Sequence, residues 1–335
     1  MKTVIVAVSL ASLAAAGLAA QDKKPTTAGN ARSYAPSKTA WGDPNLQGIY
    51  TDKDENGIPL ERPSQFEGKR AEELDDSELA DIVRERQARA VTNAATIGGA
   101  AGADTGAGPV HWYEHYGAKN SRPWLVIDPA DGRIPALTPA AQQRAAARAA
   151  ARSVRGPADS YDDRSLYDQC ITRGVIGSML PVIYGNSFQI VQAPGFVAIR
   201  YEMIHETRII PMDGRPHVPS KLRSYMGDPR GRWEGNTLVV ETTNFTDRTA
   251  VGINGNGTFN SEALRLTERF TAISPGVVEW RVTVDDPLTW TQPWSFALNL
   301  TKDPTQDVFE YACHEGNYAM KNILSAARAE ERQAR

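Results

Sequence analysis

Apolar and polar residues alternate with a period of two from about residue 180 onward, and residues typical of turns interrupt the alternation at short intervals. Clear examples are the runs 263–270 and 277–284, which are followed by the turn signals Ser-Pro-Gly and Asp-Asp-Pro. Alternation with this period is typical of half-buried β-strands. Eight or nine such strands in series, ending with 294–300 and 308–312, predict an antiparallel meander.

Such a meander closes most economically into an up-and-down barrel, because closure removes the exposed strand edges. We therefore predict a mainly β fold with an antiparallel barrel over residues 166–335 and an extended and helical N-terminal region over residues 21–165. A two-sheet β-sandwich is the alternative. With 335 residues, 41% of them hydrophobic, the chain is long enough to bury the core that either fold needs.

The first 20 residues have the features of a cleaved signal peptide. Lys2 provides a positive charge, residues 4–18 are apolar or small, and Ala19 and Ala20 precede a polar run. The apolar stretch is shorter than the roughly 20 residues that a membrane span needs. We therefore predict cleavage near residue 20 and a periplasmic or secreted product that does not insert into the membrane afterwards.

Two helices are predicted in the N-terminal region. Residues 65–94 show a partial helical stripe, and Thr138 and Pro139 provide the N-cap and first residue of a helix that runs to about Val154. Four arginines recur on one face of this second helix, namely Arg144, Arg148, Arg152 and Arg155. Because the formal net charge is −3, we interpret this stripe as a solvated face and predict no nucleic-acid partner.

Only two cysteines occur in the chain, Cys170 and Cys313. An exported protein enters an oxidising compartment, so the sequence predicts a disulfide between them. The rival interpretation, a nucleophilic thiol at Cys313 activated by His314, is weak because neighbouring residues on a strand point to opposite faces.

Polar side chains concentrate on one predicted hairpin, at positions where a strand pattern would not place them: Arg200, Tyr201, Glu202, His205 and Arg208. On its first strand Arg200 and Glu202 share one face and Tyr201 lies on the other. If the face with Arg200 and Glu202 lines the lumen, it forms a polar site. Glu202, His205, Arg208 and Tyr201 would then be catalytic and Arg200 would bind substrate. The alternative is an outward ladder of charges with His205 as a turn residue.

A second candidate group follows Cys313, whose predicted disulfide would hold the segment in place. His314 and Asn317 are its candidate substrate-binding residues. His205, Glu202 and His314 together would form a possible metal set, but nothing in their spacing requires one. We therefore predict neither a metal nor another cofactor.

Three further residues complete the candidate substrate-binding set. Asp228 and Arg230 lie in a charged segment with Trp233, and the alternative for this segment is an aromatic plug that closes one end of the barrel. Trp290 either lines an aromatic cavity or belongs to the core.

Five segments resemble a family of exported bacterial proteins without an assigned activity: DPNLQGIY (43–50), IDPADGRIP (127–135), YEMIHETRIIP (201–211), GDPRGRWEG (227–235) and YACHEGNY (311–318). The resemblance covers nearly the whole chain after the predicted cleavage point. It implies export, but it implies no reaction. The strand pattern is also similar to that of lipocalin-like barrels, which implies a fold and not a function.

No established catalytic motif is present, neither a Gly-x-Ser-x-Gly elbow nor a phosphate-binding or dinucleotide-binding glycine motif. Two predictions therefore stand. The first is a cofactor-independent acid–base enzyme, a lyase, isomerase or hydrolase, that acts on a small organic substrate in a barrel cavity. The second is a non-catalytic protein that binds or carries a small ligand in the same cavity. A scaffold protein is a third possibility, which the long N-terminal arm favours.

Overall fold

The computed structural model describes residues 34–75, 77–78, 80–82, 84, 121–182, 184–305 and 307–333. The predicted signal peptide lies outside these residues, and so does most of the predicted helix over 65–94. The chain from Tyr34 onward forms one compact unit. Among the described residues, no helix has both the length and the apolar character that a membrane span requires.

The described residues include twelve strands and three α-helices with defined bounds. Residues 77–78, 80–82 and 84 are also helical and lie within the predicted helix over 65–94. The strands are β1 (Gly48–Thr51), β2 (Val126–Asp128), β3 (Ser187–Ala193), β4 (Phe196–Tyr201), β5 (Thr207–Pro211), β6 (Asp228–Glu234), β7 (Thr237–Thr243), β8 (Ala250–Val251), β9 (Thr258–Phe259), β10 (Arg265–Ser274), β11 (Val277–Asp285) and β12 (Trp294–Lys302). The helices are α1 (Pro139–Ser153), the single turn α2 (Gly174–Gly177) and α3 (Ala319–Gln333).

Nine of the strands form a nearly closed antiparallel barrel, which confirms the predicted fold class. The order around the barrel is β5-β4-β3-β1-β12-β11-β10-β7-β6, and β2 adds to β12 outside this path. Strands that follow one another along the chain pair in most cases, often across long connections, and the first and last barrel strands, β1 and β12, also pair. The barrel is therefore an up-and-down meander that is open only between β5 and β6. The first strand, β1, comes from the segment that we assigned to the N-terminal arm, so the barrel extends across the predicted boundary at residue 165.

The predicted strand over Val308–Ala312 is wrong, since these residues form no strand. The reason lies in the sheet itself. β12 already pairs with β11 on one side and with β1 and β2 on the other. No free edge is therefore left beside β12 that a following strand could join.

The barrel has one seam, between β5 and β6. All ladders along the path are antiparallel, so with nine strands the two end strands run in the same direction and cannot continue the alternation. The described residues form no ladder between them, and side chains close the gap instead. A Cβ atom at Gly231 on β6 would lie 2.8 Å from Ile210 Cγ2 on β5 and 2.3 Å from Met212 Sδ, so only glycine allows this close contact.

The two ends of the barrel differ in their connections. At the hairpin end, short turns join β3 to β4, β6 to β7 and β10 to β11. At the loop end lie the long connections 52–186 and 244–264, the shorter connection 286–293 and the turn between β4 and β5. Long connections held on a rigid scaffold are where binding sites usually form.

Large apolar side chains fill the barrel lumen. Fully buried inward residues include Ile199, Ile210, Leu238, Val240, Phe270, Trp280, Val282, Phe296, Leu298 and Leu300. Trp280 packs edge to face on Phe296, with ring centroids 5.4 Å apart. The lumen is therefore a packed core.

Helix α1 begins as predicted, with the Thr138 hydroxyl accepting a hydrogen bond from Ala141 N and Pro139 in the first turn. Its arginine stripe contacts the loop end of the barrel. Arg144 donates to Leu288 O at 2.9 Å, and Arg148 donates to Asp247 O at 2.9 Å. The stripe therefore docks the helix, which corrects our interpretation of it as a solvated face.

Candidate functional site

The predicted disulfide between Cys170 and Cys313 is present, and both residues are buried. It joins the segment before α2 to the segment before α3, across 143 positions of sequence. These two segments carry Tyr167 and Tyr311, so the disulfide holds together the parts of the chain that form the site described below.

Two of the predicted catalytic residues, Tyr201 and Arg208, lie in the packed lumen. Arg208 donates to both carboxylate oxygens of Glu268, at 3.0 and 2.6 Å, and to the Tyr201 hydroxyl at 3.0 Å. Glu268 also accepts a hydrogen bond from Trp280 Nε1 at 3.2 Å. The arginine side chain is 3% exposed and the glutamate 0%, so protein groups surround this ion pair.

The protonation states of this lumen cluster are held fixed. Burial opposes the charge of Arg208, but the Glu268 carboxylate and the Tyr201 hydroxyl outweigh it and raise the pKa of the guanidinium. Burial also raises the pKa of the Tyr201 hydroxyl above its ordinary value. We interpret the cluster as a buried structural pair, because the cavities described below do not include these residues.

The other predicted residues of the hairpin lie elsewhere. On β4 the inward side chains are Val197, Ile199 and Tyr201, so Arg200 lies on the outer face, opposite to the lumen position that the hypothesis required. Glu202 lies just beyond β4, half-buried, and its backbone N–H donates to Ser187 O at 3.1 Å. The backbone of the other turn residue, His205, is described, but its side chain lies outside the described part of the structure.

Asp228 and Arg230 hold the connection from β5 to β6 in place. Asp228 accepts hydrogen bonds from Val218 N at 2.9 Å and from Arg230 at 2.7 Å, and it contacts His217 Nδ1 at 3.0 Å. Burial tends to raise the pKa of Asp228, but these bonds lower it overall. Arg230 also donates to Pro216 O at 2.8 Å. The hydrogen bonds of both side chains thus hold the 212–227 connection against the start of β6.

The remaining predicted substrate-binding residues separate into core and surface. Trp290 is 2% exposed and packs edge to face on Trp294 at 5.7 Å, so it belongs to the core. His314 is exposed, with its Nε2 3.2 Å from Cys170 O. Asn317 donates to Cys313 O at 2.7 Å and accepts from Ala319 N at the start of α3.

A cavity of about 810 Å³ lies at the loop end, and we call it the tyrosine cavity. Its apolar wall includes Ile58, Leu60, Leu125, Leu180 and Met203, and its polar wall includes Tyr167, Tyr184, Asp168, Asn254 and Asn256. No residue of the nine barrel strands lines it. A volume of this size, with apolar walls and a few polar groups, is typical of sites for small organic ligands.

Three tyrosines that hydrogen-bond with one another lie beside this cavity together with a neighbouring arginine, and we call the four residues the tyrosine cluster: Tyr167, Tyr184, Tyr311 and Arg173. The hydroxyls of Tyr167 and Tyr311 hydrogen-bond with Tyr184 and with each other. The guanidinium of Arg173 lies 5.5 Å from the centre of the Tyr167 ring and donates to Asn254 Oδ1. Arg173 is 1% exposed, and its Nε has no hydrogen-bond partner among the described residues.

Burial dominates the electrostatics of the tyrosine cluster. It lowers the pKa of Arg173, although Tyr167 and Asp52 act in the opposite direction. Burial and the neighbouring hydroxyls raise the pKa of Tyr311 to about 12 and that of Tyr167 further still. Both phenols are therefore protonated at neutral pH and can donate hydrogen bonds to an oxygen of a ligand.

Backbone conformations that are unfavourable for L-residues surround the same region. Cys170, Ile204 and Asn254 have φ values of 58°, 57° and 58°. Asn254 lines the tyrosine cavity, Ile204 follows Met203 of its wall, and Cys170 follows the Tyr167 segment. A β-branched residue such as Ile204 rarely adopts this conformation, and strain of this kind concentrates at functional sites.

The described residues contain no group of three or more His, Cys, Asp or Glu side chains that could hold a metal ion. The hypothetical set of Glu202, His205 and His314 is not tested, because the His205 side chain is not described. The polar groups of the site that the structure does describe are phenols, amides, guanidinium groups and the carboxylates of Asp163 and Asp168.

Comparisons with models of protein families, with curated proteins and with solved structures find no match for this chain. The family resemblance of its motifs therefore stays a prediction. The function has to be argued from the site itself.

Proposed function

We propose that this protein binds a small organic molecule in the tyrosine cavity at the loop end of the barrel. The observation that carries the proposal is the tyrosine cluster, two of whose phenols, Tyr167 and Tyr184, line a cavity of about 810 Å³, while the buried guanidinium of Arg173 lies beside them. Buried polar groups of this kind are costly in a purely structural role, and they are typical of ligand sites.

The character of the wall indicates the kind of ligand. Apolar residues such as Leu60, Leu125 and Met203 would contact a carbon skeleton, whereas Tyr167 and Tyr184 would donate hydrogen bonds to its oxygens. Binding is favoured over proton abstraction by the tyrosines, because a phenol with a raised pKa is a poor general base at neutral pH. The proposal includes export and a periplasmic or secreted location, with which the disulfide is compatible.

A titration with the fluorescent probe 1-anilinonaphthalene-8-sulfonate, followed by displacement with a library of small organic compounds, tests the proposal. We expect saturable binding that weakens in Leu60→Trp, which fills the cavity, and in Tyr184→Phe, which removes one hydroxyl. Tyr161→Phe is the matched control, since Tyr161 is 57% exposed and outside the cavity wall. Binding that is unchanged in both cavity variants, with circular dichroism confirming their fold, would overturn the proposal.

Acid–base catalysis is the second candidate, and the position of Glu202 favours it. Glu202 immediately precedes Met203, which lines the cavity, so a carboxylate lies next to the wall. Compounds that displace the probe should be incubated with the protein and followed by proton NMR. Conversion that is lost in Glu202→Gln, with binding retained, would support an enzyme; no conversion of any bound compound would leave binding as the function.

A further inference from the structure

A second cavity, of about 510 Å³, lies beside the tyrosine cavity, and we call it the arginine cavity. The two cavities share the wall residues Arg152, Asp163, Arg164, Ser165 and Asn256. Six arginines line the arginine cavity, namely Arg148, Arg152, Arg155, Arg164, Arg173 and Arg248. Only two acidic residues line it, Asp162 and Asp163. Asp247 and Asp168, which do not line this cavity, pair with Arg148 and Arg164. An excess of positive charge is left on the other arginines, in a protein whose formal net charge is −3.

The acidic residues of the wall do not neutralise this excess. Both carboxylate oxygens of Asp163 are occupied by Arg155, at 2.8 Å each. Arg152 donates instead to the backbone oxygen of Asp163, at 2.5 Å. A bidentate pair of this kind uses the full charge of the one buried carboxylate in the wall.

Two arginines of the wall have no carboxylate partner among the described residues. Arg248 is exposed, and its guanidinium lies 5.8 Å from the centre of the Tyr225 ring. Arg173 is buried and donates to the amide oxygen of Asn254. The Asp52 carboxylate favours the charge of Arg173 electrostatically, but the desolvation of the guanidinium outweighs this effect. A buried guanidinium whose charge is only partly compensated is costly, and an anionic ligand group would complete the compensation.

The loop 252–257 is built tightly around Arg173. Gly255 has a φ of +67°, and a Cβ atom there would lie 2.5 Å from the backbone oxygen of Arg173. Asn254, with its left-handed backbone, accepts the hydrogen bond from Arg173. The guanidinium is therefore positioned by the loop before any ligand arrives, which lowers the entropic cost of binding.

We propose that the arginine cavity is an anion site, and that the ligand of the loop end carries a carboxylate, phosphate or sulfate group which binds beside Arg173 and Arg248. The inference rests on the proposed function, since the carbon skeleton of such a ligand would occupy the adjoining tyrosine cavity. It adds the charge of the ligand, which the tyrosine cavity alone does not determine. Arginine suits this role because its planar donors match the geometry of these oxyanions.

Calorimetric titration of the full-length mature protein with pyrophosphate, phenyl phosphate and benzoate tests the inference, with phenol and benzamide as neutral counterparts. We expect the anions to bind and the neutral compounds to bind at least tenfold more weakly. We also expect the affinity for the anions to fall as the sodium chloride concentration rises.

Arg248→Gln should weaken anion binding about tenfold, and Arg173→Gln should weaken it further if the variant folds. Arg265→Gln is the matched control, because Arg265 is exposed on β10 and lines neither cavity. Anion affinity that is equal in Arg248→Gln and in the control would overturn the inference. So would benzamide binding as tightly as benzoate, and that result would leave the proposed function intact. Pyrophosphate binding that depends on Arg248, without any compound displacing the fluorescent probe, would instead support the anion site and contradict the proposed function.

Discussion

Arg208 and Arg173 are both buried, but they differ in what surrounds their charge. Arg208 lies 2.6 Å from the Glu268 carboxylate inside the packed lumen, and this pair raises the pKa of the guanidinium. Arg173 lies among tyrosine hydroxyls at the loop end, and burial lowers its pKa. A guanidinium that a hydrogen-bonded carboxylate neutralises serves the fold, whereas the one without such a carboxylate is the one that we propose binds a ligand.

The largest effect is expected from breaking the lumen pair. Glu268→Gln keeps the shape of the side chain but leaves the charge of Arg208 unpaired in the core, so the free energy of unfolding should fall by about 3–5 kcal/mol. Urea denaturation measures this loss. Glu241→Gln is the control, because the Glu241 side chain is 40% exposed and forms an ion pair with Arg232 at the surface. The loss of this surface ion pair should cost less than about 1 kcal/mol. Equal losses of unfolding free energy in the two variants would show that the buried ion pair contributes no more to stability than the exposed one, and would contradict the prediction.

Removal of the disulfide should have the next largest effect, and it should act mainly at the loop end. In the double variant Cys170→Ala and Cys313→Ala, no cross-link restricts the conformations of the unfolded chain. The free energy of unfolding should therefore fall by about 2–4 kcal/mol. Because the bond joins the Tyr167 and Tyr311 segments, hydrogen exchange should increase there before it increases in β10 and β11. Uniform loosening of the whole barrel would contradict this assignment.

A smaller loss is expected from a single hydroxyl of the tyrosine cluster. Tyr167→Phe removes one hydrogen bond from Tyr184 and Tyr311, so stability should fall by about 1 kcal/mol. Thermal unfolding of this variant beside Tyr161→Phe measures the difference. If Tyr167→Phe is instead more stable than the unmodified protein, the hydroxyl is kept for a ligand at a cost to the fold.

The raised pKa of Tyr311 should have the smallest effect at neutral pH, and it becomes visible only when the pH is raised. The pKa of Tyr311 is about 12 in the folded protein, against an ordinary value of 10.0. Its contribution to stability is therefore fully present below pH 10 and is lost as the pH rises through 12. Ultraviolet titration should show a late ionisation phase above pH 10, to which the buried Tyr50, with a pKa of about 12, also contributes. Tyr311→Phe should reduce the amplitude of that phase by one tyrosine. A single transition near pH 10 for all tyrosines would contradict the burial of the cluster.

The alternation of residues along the chain was sufficient to predict most of the barrel. Strands β3 to β5, β7 and β10 to β12 lie where the period of two and the turn residues predicted them, because hairpins are local structures. β6 instead occupies the charged segment for which an aromatic plug was the alternative. β1 was not predicted as a strand, since Gly48–Thr51 is an isolated apolar segment whose partners are distant in sequence. The helix α3 was not predicted either.

The sites were harder to predict, because they depend on contacts across the barrel. The partner of Arg208 is Glu268, 60 positions later, and nothing in the local pattern links the two. The orientation of β4 was open to prediction, since Val197, Ile199 and Tyr201 form its more apolar face. Tyr167, Arg173 and Tyr184 lie just before the predicted hairpins, but their convergence with Tyr311 depends on the disulfide and the long connection 52–186.

The seam between β5 and β6 has a consequence for the motion of the backbone. An amide of β5 that faces the seam can exchange its proton with water without any ladder bond being broken, whereas an amide between β7 and β10 must wait until the two strands part. The order of the strands places this slowly exchanging ladder only two strands away from the seam. An odd number of strands gives the barrel a built-in line of opening along its side, whereas the two cavities lie at its end.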